Sequence, residues 1–150
     1  MQIREATIED AEILEALERE CFSDPWSLAV FKSCFLSNNI RILLAEEKDG
    51  EETSLQGYVI YFQVLDEGNI DNLAVRKDAR KKGLGRMLLR EALRQMKEAG
   101  VMKTFLEVRA SNEPARKLYE SENFKVYGTR KDYYQNPRED AILYVWEGEQ

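Results

Sequence analysis

The sequence predicts an α/β domain built on one mixed sheet, with about seven strands and about four helices. Three observations carry this. Strand-like apolar runs and helix-like apolar stripes follow one another along all 150 residues. Ile40 to Glu46 and Leu55 to Val64 flank the polar turn Asp49-Gly50-Glu51-Glu52-Thr53, which makes an antiparallel hairpin. Gly68 to Val75, a long amphipathic helix and Thr104 to Val108 form a strand–helix–strand unit, and such a unit sets its two strands parallel. No repeat, low-complexity tract or linker interrupts the chain, so residues 1–150 are expected as a single domain.

Taken in order, Gln2 to Thr7 is a short first strand, and Thr7 with Asp10 offers a helix start. Ile13, Leu14, Leu17 and Cys21 then make one apolar stripe on a charged helix. Phe22-Ser23-Asp24-Pro25-Trp26-Ser27 breaks it, and Leu28, Phe31 and Phe35 mark a second, short helix. Phe22 and Trp26 either anchor this turn in the core or wall a substrate site, and both readings stay open. The strand ending in Leu73-Ala74-Val75 leads into the densest basic stretch of the chain. The long helix after it carries Leu84, Leu88, Leu89, Ala92, Leu93 and Met96 on one side and stops at Gly100. Ser111-Asn112-Glu113-Pro114 opens a helix bearing Ala115, Leu118 and Tyr119, and Phe124 to Tyr134 and Ala141 to Trp146 are the last two strands.

Composition narrows the function. Lys plus Arg number 22 and Asp plus Glu 28, a net charge of −6 that disfavours direct binding of nucleic acid and suits a cationic partner. The absence of histidine excludes a His base, a Ser-His-Asp triad and a His-ligated metal, and no metal is expected. Two cysteines outside CxxC spacing read as reduced, buried thiols. With no apolar signal core and no run near the ~20 residues of a membrane span, a soluble cytoplasmic protein is expected, with no membrane partner.

The chemistry points to the basic turn. Arg80-Lys81-Lys82-Gly83-Leu84-Gly85 lies beyond the carboxyl end of a parallel strand, on the N-terminus of the long helix. Free backbone N–H groups and the positive end of the helix dipole favour phosphate there, and glycine permits close approach. The turn is not a dinucleotide GxGxxG, because position 88 is Leu88, and it is not a Walker loop.

Leu73-Ala74-Val75 followed by Arg80-Lys81-Lys82-Gly83-Leu84-Gly85 resembles the acetyl-CoA motif of the GCN5-related N-acetyltransferases, [RQ]xxGx[GA]. Leu106-Glu107-Val108-Arg109-Ala110-Ser111-Asn112, with Ala115, Leu118-Tyr119 and Phe124, is similar to the ribosomal-protein-alanine N-acetyltransferase branch. Phe22 through Ser27, Tyr133-Tyr134 and Arg138-Glu139-Asp140-Ala141 extend the likeness to nearly the whole chain. The resemblance implies a GNAT fold whose fourth and fifth strands splay apart around pantetheine, with acetyl-CoA as co-substrate. It implies that Leu73, Ala74 and Val75 flank the pantetheine arm, with main-chain hydrogen bonds from Leu73 and Val75. It further implies that Arg80, Lys81, Lys82, Gly83, Leu84, Gly85 and Arg86 surround the pyrophosphate and that Asn112 touches the cofactor. Glu107 then takes the place of the general base and Tyr119 that of the general acid. The acceptor implied is the N-terminus of a small-subunit ribosomal protein, with alanine first.

The residues themselves fit those roles. In Thr104-Phe105-Leu106-Glu107-Val108 the apolar face is Thr104, Leu106 and Val108, and Glu107 points the other way. A charge on an apolar strand is costly unless used or paired. Tyr119 is either a proton donor or a core aromatic beside Leu118. Tyr133 and Tyr134, consecutive on a strand, should point to opposite faces, so that one of them meets a substrate. Asn69 and Asp71 depart from the family pattern late in the fourth strand and bear on how an amine is held or deprotonated. Acetylation of a small amine or a lysine, and a non-catalytic acyl-CoA-binding module, are the competing functions; Glu107 and Tyr119 together argue against the module.

Overall fold

The computed structural model describes residues 1–148. Its strands are β1 (Gln2–Glu5), β2 (Ile40–Asp49), β3 (Glu52–Val64), β4 (Glu67–Val75), β5 (Lys103–Arg109), β6 (Lys125–Tyr134) and β7 (Glu139–Glu147). They form one seven-stranded sheet in the order β1-β2-β3-β4-β5-β7-β6, with β4 and β5 parallel and every other neighbour antiparallel. The helices are α1 (Ala11–Cys21), α2 (Leu28–Cys34), α3 (Leu84–Glu98) and α4 (Glu113–Ser121).

Helices on both faces explain why Ile42 to Ala45 of β2 and Tyr58 to Phe62 of β3 run apolar without a break. On β2, Ile42 and Leu44 turn toward α1 and α2, while Leu43 and Ala45 turn toward α3. Leu84, Leu88, Leu89, Ala92, Leu93 and Met96 of α3 are all buried against the sheet. Each such large side chain contributes roughly 1.5–3 kcal/mol. Among the described residues no helix is long and apolar enough to cross a membrane.

Two local expectations are corrected. Ile13 is 48% exposed, so it is not part of the buried stripe of α1; that stripe is Ala11, Leu14, Leu17 and the charged Glu18. Cys21 is half-buried and Cys34 buried, both as free thiols, so only one of the pair is sequestered.

The feature that makes the site lies in β4. Its parallel ladder with β5 runs from Glu67↔Lys103 to Ile70↔Leu106 and stops there. Against β3, the register passes from Ile60↔Asn72 to Tyr61↔Ile70, leaving Asp71 as an extra, bulged residue. Beyond that bulge β4 diverges from β5, while Glu107 to Arg109 pair with Leu143 to Ala141 of β7 on their other side. The Arg76 N–H bonds the Gln56 carbonyl of the β3 side at 2.9 Å. By strand alternation, the N–H and C=O groups of Leu73 and Val75 therefore point the other way, into the fork.

Gly57 on β3 holds the far side of β4 close. A Cβ there would lie 2.7 Å from the Ala74 carbonyl oxygen and 3.2 Å from Leu88 Cδ1. Gly57→Ala is expected to destabilise the protein by roughly 1–3 kcal/mol in urea unfolding, as over-packing does. An unchanged midpoint contradicts the close approach.

Candidate active site

The fork opens into a cleft of about 1160 Å³. Phe22 and Trp26 of the α1–α2 loop, Leu73 of β4, Glu107 of β5, Asn112 and Tyr119 of the β5–α4 segment, and Tyr133 and Tyr134 of β6 all line it. Residues far apart in sequence thus share one cavity. Val75 and the turn from Arg80 to Arg86 are not among its lining residues; they follow from the outer end of β4.

That turn has the form of an anion cradle. Lys81 and Gly83 take left-handed backbone, φ 66° and 82°, and Gly83 caps the 15-residue helix α3. Lys81 and Lys82 are exposed. Helix N–H groups, a coiled backbone and these ammonium groups together suit a pyrophosphate. The arginines are otherwise engaged. Arg80 Nε donates to the Val75 carbonyl at 3.0 Å and its Nη2 approaches Cys21 Sγ at 3.7 Å, tying turn, strand and α1 together. Arg86 Nη1 donates to Ser121 Oγ at 2.9 Å and Glu122 at 2.6 Å, locking α3 to α4. Asn112 caps α4, its Oδ1 accepting from the Ala115 N–H at 3.3 Å.

Glu107 stands at the crotch of the fork. Phe105, Glu107 and Arg109 form the half-buried, cleft-facing side of β5, opposite the buried Thr104, Leu106 and Val108. Arg130 Nη1 is 3.8 Å from Glu107 Oε1, an open pair that leaves the carboxylate accessible. Glu107 in turn raises the Tyr133 phenol above its usual range. Burial, and then the Glu107 charge, push Asp71 up from the ordinary carboxylate range to about 6, although Asp71 is open on its cleft side. Two carboxyl groups therefore face one end of the cleft, one ready to hold a proton near neutrality.

Tyr119 is 7% exposed, and its ring meets Phe124 and Tyr144 at 5.7 and 6.1 Å. Burial drives its phenol well above the usual range, so the proton stays on at neutral pH. It is a core aromatic and a cleft residue at once. Phe22 and Trp26 likewise do both: each packs on the α1–α2 core, and Trp26 meets Phe31 at 5.7 Å.

Tyr133 and Tyr134 depart from the expectation of opposite faces. Both line the cleft, with rings 5.1 Å apart at 83°. Asp132 has φ 54° and the β6–β7 register shifts between Arg130 and Tyr134, which breaks the alternation. Arg109 steadies the pair, its guanidinium 4.6 Å above the Tyr134 ring while it donates to the Gln135 and Pro137 carbonyls at 2.7 and 2.8 Å.

Known proteins place this arrangement. The Acetyltransferase (GNAT) family pattern matches residues 10–124. The chain is 35% identical over 129 residues to the [Ribosomal protein bS18]-alanine N-acetyltransferase of Escherichia coli K12, covering 85% of this chain and 84% of that one. A Bacillus subtilis protein, provisionally named for the same activity, is 35% identical over 144 residues, 96% of this chain and 93% of its own. The crystal structure of the ribosomal-protein-S18-alanine N-acetyltransferase from Escherichia coli superposes with a TM-score of 0.88 at 31% identity, over 99% of this chain and 94% of that one.

The Asp71 carboxyl makes a prediction of its own. A carboxyl raised to about 6 in the fold stabilises below its ordinary range, and that contribution is lost as pH rises through about 6. Asp71→Asn is therefore expected to melt higher than the parent at pH 7.5, by on the order of 1 kcal/mol after allowance for solvent screening, and to match it at pH 4. A lower melting temperature for Asp71→Asn at pH 7.5 contradicts this.

Proposed function

We propose that this chain, which belongs to the acetyltransferase (GNAT) family, works as one cytoplasmic domain that acetylates the N-terminal α-amine of a ribosomal protein, alanine first. The observation that carries the reading is the fork between β4 and β5, with the basic turn at its outer end and Glu107 and Tyr119 at its throat. The relatives named for bS18-alanine acetylation supply the acceptor class. Two free cysteines fit a reducing compartment.

Acetyl-CoA is the co-substrate, and it supplies an acetyl group on a thioester whose sulfur can leave. In this reading the inward-facing main-chain groups of Leu73 and the Val75 N–H bind its extended arm as an added strand. Lys81, Lys82 and the N–H groups from Gly83 to Arg86 hold its diphosphate. Side-chain roles divide by place: Arg80 shapes the turn, and Asn112 bounds the fork through the α4 cap.

The acceptor amine enters between Phe22 and Trp26 on one side and Tyr133 and Tyr134 on the other. An α-ammonium of pKa about 7.7–8.0 loses its proton readily near neutrality, and Glu107 receives it. The freed amine adds to the thioester carbonyl; as the C–S bond breaks, the Tyr119 hydroxyl hydrogen-bonds the departing sulfur and relays to it the proton that the new amide nitrogen sheds. A lysine ammonium at pKa about 10.4 gives up its proton far less readily. Asp24, Glu67, Asp71, Glu107 and Glu139 line the cleft against Arg109 and Arg130, so a basic protein tail is drawn toward it.

Peptides beginning with Ala, Ser, Gly or Met, and one with a blocked N-terminus and an internal Lys, separate the possibilities when incubated with acetyl-CoA and sequenced by mass spectrometry. The Ala peptide is expected to be acetylated fastest, and only on its α-amine. Faster reaction of the blocked Lys peptide rejects the reading, and a Met preference overturns the alanine assignment. In the same assay Glu107→Gln should lower kcat by roughly 10²–10⁴-fold with acetyl-CoA affinity retained. Near parental kcat makes Glu107 structural.

A further inference from the structure

Glu18 is 2% exposed and occupies a core position on α1, four residues after Leu14 and beside Leu17. It has no cationic partner among the described ion pairs. It also lies one turn from the carboxyl end of α1, where the helix dipole disfavours an anion. An apolar residue would pack this position without the desolvation that a buried charge suffers. Such a local contradiction marks a site where something other than packing is being met.

What the carboxylate provides is a set of acceptors for three separate segments. Its Oε2 accepts the Trp26 main-chain N–H at 2.9 Å, from the loop between α1 and α2. Asn72 Nδ2 of β4 donates to Oε1 and Oε2 at 2.8 and 3.0 Å. The Tyr58 hydroxyl of β3 donates to Oε1. An aromatic chain runs alongside, from Trp26 to Phe31 at 5.7 Å and from Phe31 to Tyr58 at 6.1 Å. Asn72 sits between the bulged Asp71 and Leu73, so the brace ends on the part of β4 that borders the fork.

We propose that Glu18 is a positioning residue for the acceptor groove: it clamps the α1–α2 loop to β4 so that Phe22 and Trp26 stand as a fixed wall. A hydroxyl or amide oxygen has two lone pairs and could accept from two of these segments but not from all three at once. The clamp stands on the hydrogen bonds above; its consequence for the acceptor rests on the function proposed for this cleft. Glu18 holds the Asn72 side chain, while the Asn72 main chain stays paired with β3, so the Leu73 and Val75 groups that meet acetyl-CoA keep their place when the clamp is weakened.

Glu18→Gln keeps the shape and replaces one acceptor oxygen with an NH2 group facing other donors. The expected result is a folded protein with acetyl-CoA affinity within about twofold of the parent, peptide KM raised about 10-fold, and kcat changed less than about threefold. Trp26 reports on the clamp without any activity. In a Trp146→Phe background it is the sole tryptophan of the original two, and Glu18→Gln should lower its fluorescence anisotropy and red-shift its emission. If the parent enzyme acetylates no peptide N-terminus, the acceptor reading fails and Trp26 still decides the clamp. Asn72→Ala, which removes only the tie to β4, carries the same comparison should Glu18→Gln not fold. Unchanged peptide KM with unchanged Trp26 emission overturns the proposal. A parallel loss of acetyl-CoA and peptide affinity assigns Glu18 a merely structural role and overturns it too.

Discussion

Strand β4 stops hydrogen-bonding to β5 at Ile70, and most of the site depends on that break. A sheet interior ordinarily pairs every main-chain donor and acceptor, because leaving them unpaired away from water is costly. Here the pairing is given up in the middle of a seven-stranded sheet. The bulge at Asp71 starts the divergence, β7 supports β5 from its other side, and Gly57 keeps β4 close to β3. The Leu73 main-chain groups and the Val75 N–H, the Val75 carbonyl being held by Arg80, are then a template for an extended ligand.

The two ends of the fork differ in charge. At the outer end of β4 the helix N-terminus, Lys81 and Lys82 favour anions. At the other end carboxylates outnumber arginines, and Asp71 and Glu107 lie close enough to influence one another. The arginines are mostly tied into structure, Arg86 and Arg90 on Glu122 and Arg109 on Glu139 and the β6–β7 turn. The field thus favours an anionic group at the first end and a cationic one at the second.

Much of the fold was legible in the sequence, because strong periodicity leaves little choice. The apolar runs of β2 and β3, the stripe of α3 and the glycine-bearing basic turn each correspond to one element in place. Glu107 was legible for the same reason: a charge between Leu106 and Val108 has to point away from their face. What escaped notice depends on local breaks in period or on distant partners. The left-handed Asp132 brings Tyr133 and Tyr134 to one side, and nothing in the alternation of β6 announces it. Glu18 has no place in the stripe read from the sequence, which takes in Ile13 instead, since its partners Trp26, Tyr58 and Asn72 lie 8, 40 and 54 residues away. The pairing of Arg86 with Glu122 is likewise a tertiary fact, 36 residues apart in sequence.

The central claim is that the open edge of β4 receives the extended arm of acetyl-CoA. Residue-resolved amide exchange by NMR, with and without acetyl-CoA, tests it most directly. The Leu73 and Val75 amides should exchange fast in the free protein and become strongly protected on binding, while the Asn72 and Ala74 amides, which face β3, change little. Protection appearing elsewhere, with Leu73 and Val75 unchanged, would contradict the account.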